Sequence, residues 1–315
     1  MRPLLLSALL AFAIGAAGLG AAGLADEPFL RPNDVIALVG GEDMVAAAEY
    51  GYLELLLTRA LPAHKLKFRC LAWEGDTVFE QPRQLNYPKL EQQLNEIGAT
   101  VVICQFGHME SLAGKEKLPE FISAYEKLIA RFSAGGKRRI VIVSPRRFQH
   151  LDASPDFTTE NGDIEKYALA LRKLADSAQA RFIHTSDLSG GQVVQDTRDG
   201  VHGNYHGIYD ASNSIALALE EKIELLGLAD DGPPEVIKPP RVEALRQLII
   251  AKNRLWFDYY RPQNWAFLAG DRTTQASSRD HLDPSKRWFP PEREQFLPLI
   301  EKKEQEIWAL AASLK

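Results

Sequence analysis

Four short clusters in this sequence carry side chains able to move a proton or hold a charge. Asp199-Gly200-Val201-His202 sets a carboxylate and an imidazole three residues apart, with Asn204 and Gly207 following. A carboxylate beside an imidazole orients the ring so that it can take a proton from a hydroxyl group or from water. The same two residues can also simply cap a helix start. Gly40-Gly41-Glu42-Asp43 offers two adjacent acids, in reach of chemistry or of solvent. Gly107-His108-Met109-Glu110-Ser111 offers an imidazole, an acid and a hydroxyl, and Ser111 suits a helix N-cap as well as a nucleophile. Trp73-Glu74-Gly75-Asp76-Thr77 carries a glycine that a turn of positive φ would use. His202 and His206 lie four apart and could gather a metal ion with Glu42 or Asp199. They lack the H-E-x-x-H context, so no metal site is expected, and no cofactor.

The elements that must position these clusters follow from hydrophobic periodicity. Short apolar runs at Asp34–Gly40, Lys65–Ala72, Thr100–Phe106, Arg139–Ser144 and Arg181–Thr185 read as strands. Longer helical patterns at 45–61, 88–97, 117–133, 163–178 and 207–226 separate or follow them. This alternation predicts a parallel sheet covered on both faces. We expect a three-layer α/β/α doubly wound, flavodoxin-like domain over about 34–228, with five strands in the order 2-1-3-4-5. Ligands of such sheets bind at the carboxyl ends of the strands. All four clusters fall there. Residues 229–240 are rich in Pro and acid and read as a linker. Residues 241–260 form an amphipathic pattern, 261–288 show no period, and 292–313 read as a charged terminal helix. The expected organisation is therefore a leader at 1–25, an α/β domain at 26–228, and a C-terminal helical extension at 241–315 packing on it.

The four clusters, in this order on this fold, resemble the four sequence blocks of the SGNH (GDSL-type) hydrolases. The match is strongest at Asp199-Gly200-Val201-His202 and spans about 190 residues. AEYGYLELLL, FRCLAWEGDTV and KNRLWFDYYRPQN further resemble a subgroup common in planctomycete-type bacteria. The resemblance implies that His202 is a catalytic base and Asp199 its orienting carboxylate. It implies oxyanion donors at Gly75 and in the first block, at Glu42. The substrate it implies is a small ester or an acylated carbohydrate.

Two positions depart from the family. The nucleophilic serine aligns with Glu42, or with Asp43 if the alignment slides by one. The oxyanion asparagine aligns with Met109, which cannot donate a hydrogen bond; losing one such donor costs about 10²–10³ in rate. Three readings remain open. Glu42 acts as general base on a water with His202 as its partner, so that His202, Asp199 and Glu42 form the catalytic set. Another hydroxyl, Ser111 or Ser144, attacks. Or the fold binds its ligand without turnover, as a carbohydrate- or partner-binding module. His108 is a substitute oxyanion donor. Trp73, Glu110, Ser111, Arg261 and Asn264 are expected to line the substrate. With Trp265 and Trp288 the aromatic residues form either a rim suited to sugars or ordinary packing.

Length and composition frame these readings. The chain has 315 residues, 45% of them hydrophobic and 25% charged, enough for a sizeable core without disulfides. A net charge of −5 argues against nucleic acid as the main partner. Residues 1–25 pair Arg2 with a long apolar stretch ending in Gly23 and Ala25, a secretory leader pattern. Export to the periplasm or medium is expected, with no stable membrane insertion after cleavage. Cys70 and Cys104 fall on strands separated by a third. They should lie about 9–10 Å apart, too far for a disulfide, and both are expected free and buried.

Overall fold

The apolar runs form one parallel sheet in the computed structural model, which describes residues 28–185, 195–228 and 235–314. In chain order the elements are β1 (Val35–Gly40), α1 (Glu42–Tyr50), α2 (Tyr52–Ala60), β2 (Lys67–Cys70), α3 (Leu90–Glu96), β3 (Val101–Gln105), α4 (Leu118–Ser133), β4 (Arg139–Val143), α5 (Thr158–Ser177), β5 (Arg181–Ile183) and α6 (Tyr205–Leu219). Then come β6 (Gly227–Leu228), β7 (Ile237–Lys238), α7 (Pro240–Tyr260), α8 (Trp265–Leu268), α9 (Phe289–Glu294) and α10 (Phe296–Ala312). The main sheet runs β2-β1-β3-β4-β5, all parallel, as expected.

The strands read as unbroken apolar runs because alternate side chains enter different cores. Ile36 and Leu38 of β1 join Ile103 and Val141 against α1, α2 and α6. Ala37 and Val39 join Cys104 and Ile142 against α3, α4 and α5. The period-two geometry of a strand makes this division automatic.

One expected helix is two. The apolar pattern at 45–61 runs straight through Gly51, which hid the break. Gly51 adopts φ +71 and ends α1 in the left-handed conformation. A Cβ there would also stand 3.1 Å from Ile249 of α7. The break seats α7 against α1 and α2.

The C-terminal extension packs on the domain along the exposed edge of β2. Leu66, Phe68 and Cys70 turn their carbonyls away from β1, and each accepts a hydrogen bond from the tail. Trp308 Nε1 donates to Leu66 O, Lys252 Nζ to Phe68 O and Trp256 Nε1 to Cys70 O. An edge that would otherwise invite another strand is thus covered. Two ion pairs fasten the same seam: Lys252 Nζ to Glu54 Oε2 at 2.9 Å and Arg69 Nη1 to Glu304 Oε1 at 2.6 Å. The expected linker contains β7, which pairs with β6 just before the linker, and linker residues 229–234 lie outside the described residues. The leader at 1–25 also lies outside them. Among the described residues no helix is long and apolar enough to cross a membrane. Cys70 and Cys104 are free, Cys104 buried and Cys70 half-buried.

Candidate active site

The loop Asp199–His202 builds its own geometry. Gly200 takes φ +92, and a Cβ there would meet Gln149 O at 2.7 Å. That turn lets Asp199 Oδ1 accept the amides of Val201 and His202, at 3.0 and 2.8 Å. Its other oxygen lies 2.6 Å from His202 Nδ1. The backbone amide and ring of His202 hold the Asp199 carboxyl far below the usual carboxylate range. The expected orienting pair is therefore formed.

Opposite the ring stands Glu42. It is the first residue of α1, directly after β1, and its Oε2 lies 3.1 Å from His202 Nε2. Its Oε1 accepts from Arg198 Nη2 at 2.8 Å. Each ring nitrogen faces a carboxylate oxygen. The alternative alignment places Asp43 in this slot, and the structure points Asp43 elsewhere. Its Oδ1 lies 2.9 Å from Arg146 Nη2. Burial alone would push the Asp43 carboxyl up, but Arg146 outweighs it and holds the group below its ordinary value. Arg146 also donates to Val201 O, tying the end of β4 to the histidine loop.

Gly75 lies in the loop that abuts Gly41, whose Cβ position is 3.6 Å from Glu74 O and 3.4 Å from Asp76 O. Its φ is outside the left-handed region, so the turn itself does not demand glycine. Among the described residues nothing accepts from the Gly75 amide, and a Cβ there would meet nothing within 4 Å. The Glu42 amide, at the start of α1, is one of the donors a helix leaves without an intrahelical partner.

His108 stacks on Phe148 with ring centroids 4.5 Å apart. Burial pushes its pKa down to about 4, so the ring is neutral at physiological pH. Its buried Nε2 has no hydrogen-bond partner among the described residues. Met109, at the asparagine position, is 52% exposed and turns away from the interior.

Several expected ligand-lining residues do other work. Glu110 is buried, and its two oxygens accept the amides of Val78 and Gly107, both at 2.9 Å. Burial raises its pKa despite those bonds. It ties the loop after β2 to the loop after β3. Ser111 is also buried, and its hydroxyl donates to His108 O at 2.7 Å. It stabilises its turn, which sets it aside as a nucleophile. Ser144 is fully buried and shares hydrogen bonds with Thr185. Trp73 is engaged within the fold: the guanidinium carbons of Arg83 and Arg261 each lie 4.5 Å from its ring centroid. Arg261 reaches from the end of α7 to Glu74 at 3.0 Å, so the tail touches the loop after β2. Asn264 is exposed at the start of α8, on a segment that packs through Trp265 against Leu85 and Tyr87. Of the two alternatives for these aromatic residues, Trp265, which is buried, follows ordinary packing.

His206 does not join His202. It faces Asp196 at 2.8 Å and Asp210 at 3.6 Å, three groups close enough to share a cation. Arg146 and Arg198 are the site residues the sequence reading missed. Their partners Asp43 and Glu42 are 103 and 156 residues away, beyond the reach of any local pattern.

Comparison with known proteins supports the fold. No family model and no curated protein matches the chain. Among solved structures, a gut microbial diltiazem-metabolizing enzyme aligns with a TM-score of 0.59 at 11% identity, over 90% of this chain and 94% of that one. A Parabacteroides merdae protein solved as a GDSL-like lipase aligns at 0.49 and 15% identity, covering 60% of this chain and 97% of that one. An acetyl xylan esterase aligns at 0.46 and 19% identity, covering 59% and 100%. The fold is a three-layer α/β/α arrangement around a parallel sheet, shared with the diltiazem-metabolizing enzyme, here with a C-terminal helical extension.

Proposed function

We propose that the chain is an exported ester hydrolase of small acylated substrates that works without a serine nucleophile. The observation that carries this reading is the relay Asp199–His202–Glu42, with contacts of 2.6 and 3.1 Å. Glu42 takes a proton from a water as that water adds to the acyl carbon. The oxyanion so formed receives hydrogen bonds from the Gly75 and Glu42 amides and from the neutral ring of His108. His202 gives its Nε2 proton to the departing alkoxide, and the acyl–oxygen bond breaks. The proton on Glu42 then returns to Nε2. One water is consumed, one acid and one alcohol are released, and the relay is reset. Arg198 keeps the Glu42 carboxylate aimed throughout. The leader pattern at 1–25 supports export, to the periplasm or the medium.

The test is hydrolysis of 4-nitrophenyl acetate and of acetylated xylo-oligosaccharides by the chain from residue 26, against His202→Ala. Turnover that vanishes in the variant supports the relay. Equal rates in both proteins sink it. A second reading then takes its place: a non-catalytic module that binds an acylated carbohydrate or a partner. One observation favours that alternative, since both oxygens of Glu42 are already engaged, by Arg198 and by His202.

A further inference from the structure

A cavity of about 200 Å³ lies between α1 and α7. Val45 and Ala48 of α1, Cys70 and Ala72 at the end of β2, and Trp256 and Phe257 of α7 form its walls. Glu42, Val45 and Glu49 stand at i, i+3 and i+7, on one face of α1. At the rise of a helix, Val45 is about 4.5 Å and Glu49 about 10.5 Å along the axis from Glu42.

The charges around Glu49 place the mouth. Burial pushes its carboxyl up; Glu74 and Glu42 push the same way, and Arg198 and Arg261 oppose them. Glu49 and Arg261 line the cavity, and Glu42 and Arg198 of the relay are close enough to Glu49 to act on its carboxyl. Apart from the Glu49 carboxylate at the mouth, the polar groups of the walls are engaged within the fold. Asn253 donates to Ala48 O, Arg254 pairs with Asp258, Arg261 with Glu74, and Trp256 Nε1 with Cys70 O. Tyr260 OH bonds Leu71 O and Gln93. A sugar pushed into this space would leave hydroxyls without partners, at a high desolvation cost. An uncharged apolar group would not. A dry cavity of about 150 Å³ is enough to hold benzene.

We infer that the pocket between α1 and α7 receives the apolar part of the ligand, an aromatic ring or a short acyl chain, of an ester whose carbonyl sits at Glu42. The second half of this inference rests on the hydrolase reading; the pocket itself does not. The substrate class is thereby narrowed to esters with one apolar, uncharged end. The span from Glu42 to the pocket suits a phenyl or short acyl ester. The C-terminal extension becomes the wall that selects it.

The probe is acetophenone, an uncharged ketone that cannot be hydrolysed, followed by saturation-transfer NMR on the chain from residue 26. Butanone, which lacks the ring, is the comparison. Acetophenone is expected to bind about ten- to hundred-fold tighter than butanone. Ala48→Phe, at a partly exposed helix position, fills the space and is expected to abolish the ring signal with no loss of melting temperature. Phe257→Ala removes a wall and is expected to weaken acetophenone about ten-fold. Equal binding of the two ketones, or an unchanged ring signal in both variants, overturns the pocket. Acetophenone binding that Ala48→Phe removes, in a protein with no ester turnover, keeps the pocket and sinks the hydrolase reading. His202-dependent turnover without acetophenone binding does the reverse.

Discussion

His108 gives a direct test of the electrostatics of the site. The ordinary histidine pKa is 6.5, and burial brings this one down to about 4. A depressed folded pKa means that the unfolded chain binds this proton first. The group therefore supports folding above pH 6.5, and that support drains away as the pH falls toward 4. Between pH 7.5 and 4.5 the loss works out at about 2.5 kcal/mol. His108→Phe keeps the stack on Phe148 and removes the titrating ring. At pH 7.5 the variant should be close to the parent in stability. At pH 4.5 it should be the more stable protein by about 2.5 kcal/mol, or about 5–10 °C in melting temperature. Urea titrations of both proteins at the two pH values measure this. Parallel pH profiles would show that the buried, neutral imidazole is a wrong account of His108, and the proposed oxyanion donor would fall with it.

Three further outcomes are expected. Glu42→Gln keeps the size of the side chain and removes its charge, and should lower His202-dependent ester hydrolysis by about 10²–10⁴ with an unchanged circular dichroism spectrum. Lys252→Met strands the buried Glu54 carboxylate and should cost about 3–5 kcal/mol in urea unfolding, most of it recovered in Lys252→Met/Glu54→Leu. Burial pushes the Cys70 thiol up to about 12 and Cys104 further, so a disulfide-exchange reagent at pH 8 should label Cys70 about a thousand-fold more slowly than unfolded chain.

What the sequence shows of this protein depends on the range of the interaction. The sheet order was legible because each strand is an apolar run bounded by loops, and both faces are covered. The Asp199–His202 pair was legible because its hydrogen bonds all close within four residues. The break at Gly51 was not, since a left-handed glycine leaves no mark in an apolar run. Glu110 and Ser111 looked like site residues because they sit on the right edge of the sheet. Only the fold shows that their polar atoms are used up in bracing adjacent loops. Arg146 and Arg198 carry no local signal at all. The role of the tail was equally hidden. Lys252 and Trp256 fall in an amphipathic pattern and Trp308 in a charged terminal helix, whereas in the fold all three serve the outward carbonyls of β2.

The two missed arginines explain how two adjacent acids can stand against the loop that carries His202. Glu42 and Asp43 are adjacent acids, and Glu42 faces a histidine already paired with Asp199. Three carboxylates around one imidazole would repel one another and open the site. Two features prevent this. Both acids occupy the first turn of α1, where the helix N-terminus favours negative charge. Each then has its own guanidinium, drawn from a different loop: Arg198 beside the histidine for Glu42, and Arg146 after β4 for Asp43. Arg146 also holds Val201 O, so the cation that neutralises Asp43 fixes the loop that presents His202. The carboxylate at position 42 and the arginines thus form one electrostatic unit. Exchanging Glu42 for a short hydroxyl would leave Arg198 unpaired and widen the gap to Nε2. Glu42→Ser is therefore not expected to confer serine chemistry.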